Sequence, residues 1–497
     1  MIRTLELPGR TLAISCHPDD RLSLEDGAAV LTSARFAVLH DMPHGEFYRH
    51  GHNSWSPCGW RPLDAPPLRI EDPVRRRTAD DSGWDDPVRH HSSWVGVVED
   101  AGQGLLVGAL TGDTPRLRAD TAALEAFTET GRPGRWRIAV GAPTELLSDY
   151  ARAVAAVAGR RPVHPQSVWC SWYSYYETVT EEAIAAEVAG LAGLGVRTVQ
   201  IDDGWERSVG DWQAGERFGS GMAHTARTIR DAGFQPGLWI APFIAVPGSR
   251  TAVDRPELFV TDPTGRPAVA GTNWGVDYHT LDLTRADAQE HVAGIVRRAV
   301  HDWGYTYLKL DFIYAAAVPG VRSAPVDRER AYRIGLEVVR EAAGQDAYLL
   351  GCGALPLPSL GLLDAIRIGP DVAPLWDNYA SSDPSDATAR NALSTSVDRL
   401  WLGEVIGIDP DVAFFRHRRN LLSEEQMGWL RDLAAACRFR CLSDPTAWLD
   451  EAERQAVRDF LAGSERVELT GRHRFRLDGR EVDLSPALGA AVAAYPL

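Results

Sequence analysis

The chain has 497 residues, 44% hydrophobic and 24% charged, the proportions of a folded globular protein with room for several domains or one barrel with additions. Its formal net charge of −16 argues against nucleic acid or an anionic membrane as a partner. No stretch reaches the roughly 20 apolar residues of a membrane span, and the opening MIRTLELPGRTLAIS lacks a signal-peptide core, so a cytoplasmic location is expected.

Residues 1–160 carry short apolar runs (TLAIS, AAVLT, FAVLH, WVGVV, GLLVGAL, WRIAV) separated by Gly, Pro and Asp, a pattern that predicts an N-terminal antiparallel β-sandwich. The spacing predicts a connecting amphipathic helix over 142–159. From there strands and helices alternate. Strands are expected at 167–172, 197–203, 235–242, 305–312, 347–352 and 364–369, and Thr180 is placed to cap the helix that follows it. Continuous apolar strands between helices indicate a parallel sheet, and their number over 161–422 favours a (β/α)8 TIM barrel. Residues 423–497 read as closing helices and a short C-terminal β domain. The six cysteines show neither C-x-x-C nor zinc-like spacing, so no disulfide is expected; Cys437 and Cys441, four apart, are read as packing on one helix.

The chain holds 52 lysines and arginines, and all but Lys309 are arginine. In YTYLKLDFIY, strand alternation puts Tyr307, Lys309 and Asp311 on one face, pointing into the barrel with Asp311 at the carboxyl end of its strand. A buried ammonium beside Asp311 offsets the cost of burying each and is expected to hold the carboxylate ionised, as a nucleophile requires. A structural ion pair would look the same taken alone.

Two more strand ends deliver acids to the same rim: Asp202 and Asp203 in QIDDGW, and Asp371 after Arg367 in AIRIGPD. Tryptophans crowd the rim as well, among them Trp169, Trp172, Trp205, Trp239, Trp274 and Trp376, beside Tyr173. Aromatic faces beside carboxylates suit a sugar, with its apolar C–H surface and its hydroxyls, although any one of these rings could equally pack a loop. The acids could bind a hard cation, but without histidine among them and with Lys309 and Arg367 at hand, chemistry without metal or cofactor is preferred. Cleaving a glycosidic bond needs one carboxylate and one carboxylic acid. Asp311 fits the anion; Asp371, beside Pro370, Val372, Ala373 and Trp376, is expected to be desolvated and to hold a proton.

The motifs WCSWYSYY, QIDDGW, PGLWIAPF, YLKLDFIYAAAVPG and LLGCGALPLPSLGLLDAIRIGPDVAPLW, spread over residues 165–420, resemble the microbial melibiase-type α-galactosidases, retaining glycoside hydrolases of clan D. GHNSWSPCGW, with Trp55, resembles the loop that the family's N-terminal domain sends toward the active site, although His52 stands where many relatives carry an aromatic. The resemblance implies hydrolysis of small α-galactosides by an exo-acting double displacement. Asp311 would be the nucleophile and Asp371 the acid/base; Asp202, Asp203, Lys309 and Arg367 would bind sugar hydroxyls. Trp172, Tyr173, Trp239 and Trp274 would line the subsite, with Cys352 near the C2 substituent. Transfer to another sugar, action on a related α-glycoside, and a non-catalytic carbohydrate-binding barrel remain alternatives. The oligomeric state is left open, a homo-oligomer being one form.

Overall fold

The structure, a computed structural model, describes all residues except 379, 464–465 and 489–497, so the last stretch of the expected C-terminal domain lies outside the described residues. The N-terminal part folds as two antiparallel sheets of six and seven strands. Alternation decides their faces: Leu12 and Ile14 of Arg10–Ser15, and Leu124 and Ala126 of Ala123–Thr128, turn inward. They join Leu105, Val107, Trp136 and Ile138 of the other sheet in one apolar cluster. The expected connector is a helix over Pro143–Ala158, stopped by Gly159 at φ 85°.

Most of the remaining strands build a parallel sheet. In spatial order its strands are Gly407–Asp409, Ala365–Arg367, Tyr348–Gly351, Tyr307–Leu310, Gln235–Ile240, Thr198–Ile201, Gln166–Cys170, Phe439–Leu442 and Val412–Ala413. The two outermost pieces are consecutive in the chain, joined by Pro410 and Asp411 alone. Helices follow most strands and are started by the residues that favour this. Thr180 Oγ1 accepts from Ala183 N, and Ser423 with Gln426 forms a capping box for Glu424–Ala436.

The sequence reading is corrected at two places. Cys437 and Cys441 do not share a helix: Glu424–Ala436 ends at Cys437, Arg438 turns the chain at φ 55°, and Cys441 lies in the strand Phe439–Leu442. That strand pairs with Gln166–Cys170, so the parallel sheet runs beyond the expected boundary at 422. The terminal strands Val467–Leu469, Arg474–Leu477 and Arg480–Asp483 form the short antiparallel tail.

Buried charges join the N-terminal sheets to the parallel sheet. Arg328 meets Asp81 at 2.8 Å and Glu129 at 2.7 Å, and Arg116 meets Glu329 at 3.1 Å. Arg399, fully buried, donates to the backbone carbonyls of His50, Asn53, Ser54, Ser56 and Ile368. The two Nη groups make all five contacts, three of them from Nη2, and fix the 50–56 loop against the carboxyl end of Ala365–Arg367. No helix among the described residues is long and apolar enough to cross a membrane.

Candidate active site

A cavity of about 280 Å³ opens where the parallel strands end. Asp311 and Asp371 both line it, with Asp202, Asp203, Lys309, Trp172, Trp239 and Trp55. Four expected residues are not among its lining: Tyr173, Arg367 and Cys352 are buried, and Trp274 is partly buried.

Asp311 follows the strand Tyr307–Leu310 directly, and Trp239 from the neighbouring strand donates its indole N–H to Asp311 Oδ2 at 2.9 Å. Phe312, at φ 52° in the left-handed region, turns the chain at once and donates its amide to Asp311 Oδ1 at 2.8 Å. The lone lysine is placed differently from expectation. Lys309 Nζ donates to Asp202 Oδ2 at 2.9 Å, while Asp311 Oδ2 stands 3.9 Å away. Its partner is fixed by Gln200 Nε2, which bonds the same Asp202 oxygen at 2.6 Å. Burial pushes the Asp311 carboxyl above the usual carboxylate range, and the Lys309 charge and the Trp239 N–H offset this only in part.

Asp371 departs from expectation as well. Its side chain is 42% exposed and bonded to Arg367 Nη1 at 3.0 Å, so the flanking Pro370, Val372 and Trp376 do not desolvate it. Arg367 itself is buried, and its donors go to protein: Asp371, Asp411 at 2.8 Å and Asp409 at 3.1 Å. Tyr173, expected in the subsite, donates its hydroxyl hydrogen bond to Asp411. Cys352 is buried beside Asp311, and burial pushes its thiol up. Trp274 packs edge-on to Tyr278 and tilted against Phe312, and donates its indole N–H to Asp203 Oδ2 at 2.8 Å.

Asp203 and Glu206 form a hydrogen-bonded pair of acids. Burial and the Glu206 charge push Asp203 up to about 9, and Glu206 is raised too, so at neutral pH the pair holds a proton. That proton lies in the hydrogen bond between Asp203 and Glu206, while Asp203 Oδ2 accepts from Trp274 and Asp202 Oδ2 accepts from Lys309.

The N-terminal region contributes to the wall. Trp55 is held by its amide on Asn53 Oδ1 at 2.9 Å and packs against Phe312 and Tyr314. His52 faces away, 3.3 Å from Glu329. Val74, Arg75, Thr78 and Ala79, from the helix Pro73–Ala79, also line the cavity, with Thr272, Asn273, Phe312, Pro370, Ser385 and Ala387. Sequence reasoning missed all of these, and PVRRRTA offers no chemical signal that would have found them. Among the described residues no cluster of metal-ligating side chains occurs.

With this geometry in hand, comparison with known proteins is specific. The Melibiase family model matches residues 150–341. TtGalA, an α-galactosidase from Thermus thermophilus in complex with p-nitrophenyl α-D-galactopyranoside, matches with a TM-score of 0.91 at 38% identity, covering 98% of this chain and 100% of that one. Alpha-galactosidase AgaA from Geobacillus stearothermophilus is 29% identical over 178 residues, 33% of this chain and 24% of AgaA. A blood-group A α-D-galactosamine galactosaminidase from Flavonifractor plautii is 30% identical over 157 residues, 30% of this chain and 14% of its own length. The chain thus matches a quarter or less of the length of these two curated relatives.

Proposed function

This chain belongs to the melibiase family, and from that premise we propose that it is an exo-acting, retaining α-galactosidase for melibiose- or raffinose-type saccharides. The observation that carries the reading is that Asp311 and Asp371 line one sugar-sized cavity with Asp202, Asp203, Lys309 and three tryptophans. Asp311 attacks the anomeric carbon while Asp371 protonates the departing oxygen, leaving a β-galactosyl ester on Asp311. Asp371 then takes a proton from the water that hydrolyses it. Asp202 and Asp203 face neighbouring hydroxyls from the cavity wall, and Lys309 ties Asp202 to the floor. Trp172, Trp239 and Trp55 supply apolar faces. Arg367 and Tyr173 act from behind the wall through Asp371 and Asp411, and Trp274 through Asp203. Neither step calls for a metal or cofactor.

The parallel sheet is read as a closed (β/α)8 barrel, which the joining of its two ends through Pro410 and Asp411 supports. The shared apolar cluster supports a β-sandwich for residues 1–160. On this reading the barrel occupies 161 to about 442, with the remainder forming the C-terminal tail. The six free, buried cysteines are in keeping with a cytoplasmic location.

A panel of 4-nitrophenyl α-glycosides tests the assignment. The galactoside should be cleaved far faster than the glucoside, xyloside or N-acetylgalactosaminide, and Asp311→Ala should abolish the activity. Preference for a sugar other than galactose would overturn the substrate while sparing the double displacement. Cleavage surviving in Asp311→Ala would overturn the site.

A further inference from the structure

Directly behind Asp371 sits an acid that no motif pointed to. Asp411 is 2% exposed and interrupts the barrel strand between Asp409 and Val412 at φ 81°, a conformation that costs backbone energy in any residue but glycine. Donors converge on it: Tyr173 OH, Arg367 Nη1 at 2.8 Å and the Val372 amide at 2.9 Å bond Oδ2, and the Val412 amide bonds Oδ1 at 2.8 Å. Two of these partners belong to the acid/base. Val372 is the residue after Asp371, and the same Arg367 Nη1 donates to Asp371 Oδ1.

Charge gives this arrangement a consequence. The groups facing Asp371 are Arg367, Asp411, Asp311, Tyr173 and Cys352; those facing Asp411 are Arg367, Asp371, Asp409, Tyr173 and Cys441. A guanidinium bonded to Asp371 alone would hold its carboxyl ionised, the wrong state for a group that must give a proton. Here three carboxylates (Asp371, Asp409 and Asp411) share one guanidinium.

We propose that Asp411 is the positioning residue for the acid/base: it pins the 371–372 backbone through the Val372 amide, and it takes a share of the Arg367 charge that would otherwise fall on Asp371 alone. The inference rests on the reading of Asp371 as acid/base. Burial pushes the Asp411 carboxyl up to about 7, against the neighbouring Arg367 charge, which lowers it.

Asp411→Asn keeps the shape and tolerates the left-handed backbone but cannot carry the charge. With melibiose, whose leaving group needs protonation, the alkaline limb of kcat/KM should move down by about one pH unit, with a loss of about tenfold above neutrality. With 2,4-dinitrophenyl α-galactoside, whose leaving group needs no proton, kcat/KM should change by less than about threefold. Equal losses on both substrates with an unmoved limb would overturn the proposal and leave Asp411 a structural residue. Asp371→Asn separates the two levels: if it does not discriminate between these substrates, the acid/base reading itself fails. If Asp411→Asn does not fold, Tyr173→Phe decides. Removing one donor leaves Asp411 less ionised, so the limb should move the same way by a smaller amount, and an unmoved limb overturns the proposal.

Discussion

Replacing Trp239 by phenylalanine tests how the nucleophile is kept ionised. The indole N–H is the side-chain hydrogen bond to Asp311 Oδ2, at 2.9 Å in a buried setting, and burial already pushes this carboxyl up. A hydrogen bond to a charged group contributes about 1.5–3 kcal/mol, and each pKa unit corresponds to about 1.4 kcal/mol, so its loss raises Asp311 by about 1–2 units. A water admitted to the vacated space sets the lower end of that range. Because the reaction needs the carboxylate, the acid limb of kcat/KM for 4-nitrophenyl α-galactoside should move to higher pH by the same amount. Activity well above that limb should recover most of its original value. Denaturant unfolding of the variant separates loss of fold from this shift. An acid limb that stays in place in a folded variant would refute the argument that this N–H holds Asp311 ionised.

Other perturbations follow from the same contacts. Lys309→Arg keeps the charge but not the fit beside Asp202 and Asp311; kcat/KM should fall on the order of 100-fold with the unfolding midpoint little changed. Arg399→Met strips the carbonyls of His50, Asn53, Ser54, Ser56 and Ile368 of their donor; guanidinium unfolding should show a loss above about 3 kcal/mol, and KM should rise as the Trp55 loop loosens. Asp203, held protonated in the fold up to about 9 but ionised in the unfolded chain above about 4, makes stability fall as pH rises through that window. Asp203→Asn should flatten the fall seen by denaturant unfolding between pH 5 and 9, whereas an unchanged slope would contradict the shared proton.

The strands that carry the acids were readable because each is a largely apolar run that ends at an aspartate, beside a glycine or proline in two of the three: QIDDGW, YLKLDF and AIRIGPD. The two strands that were not readable were masked in different ways. Phe439–Leu442 follows its helix with only Cys437 and Arg438 between, so CRFRCL continues the apolar pattern of the helix. The stretch 407–413 is broken by Pro410 and Asp411 and reads as a turn. Within the site, strand alternation correctly turned Lys309 and Asp311 toward the cavity, but neighbouring positions in sequence do not decide which carboxylate an ammonium bonds. Asp202, from another strand, lies closer. The local apolar neighbours of Asp371 pointed to desolvation, yet only the fold shows that its side chain leaves them for Arg367 and solvent. Arg75 and Thr78 reach the cavity through the packing of a separate domain, which leaves no trace in their local pattern.

The central claim is that Asp311 forms a covalent bond to galactose while Asp371 serves the departing oxygen. Incubation with a 2-deoxy-2-fluoro α-galactosyl donor bearing a good leaving group, followed by peptide mass spectrometry, reads this directly. The account predicts one added fluorogalactosyl unit on the peptide containing Asp311, released slowly with return of activity. A label on Asp202, Asp203 or Asp371, or rapid turnover with no labelled enzyme and a product of inverted configuration, would contradict it.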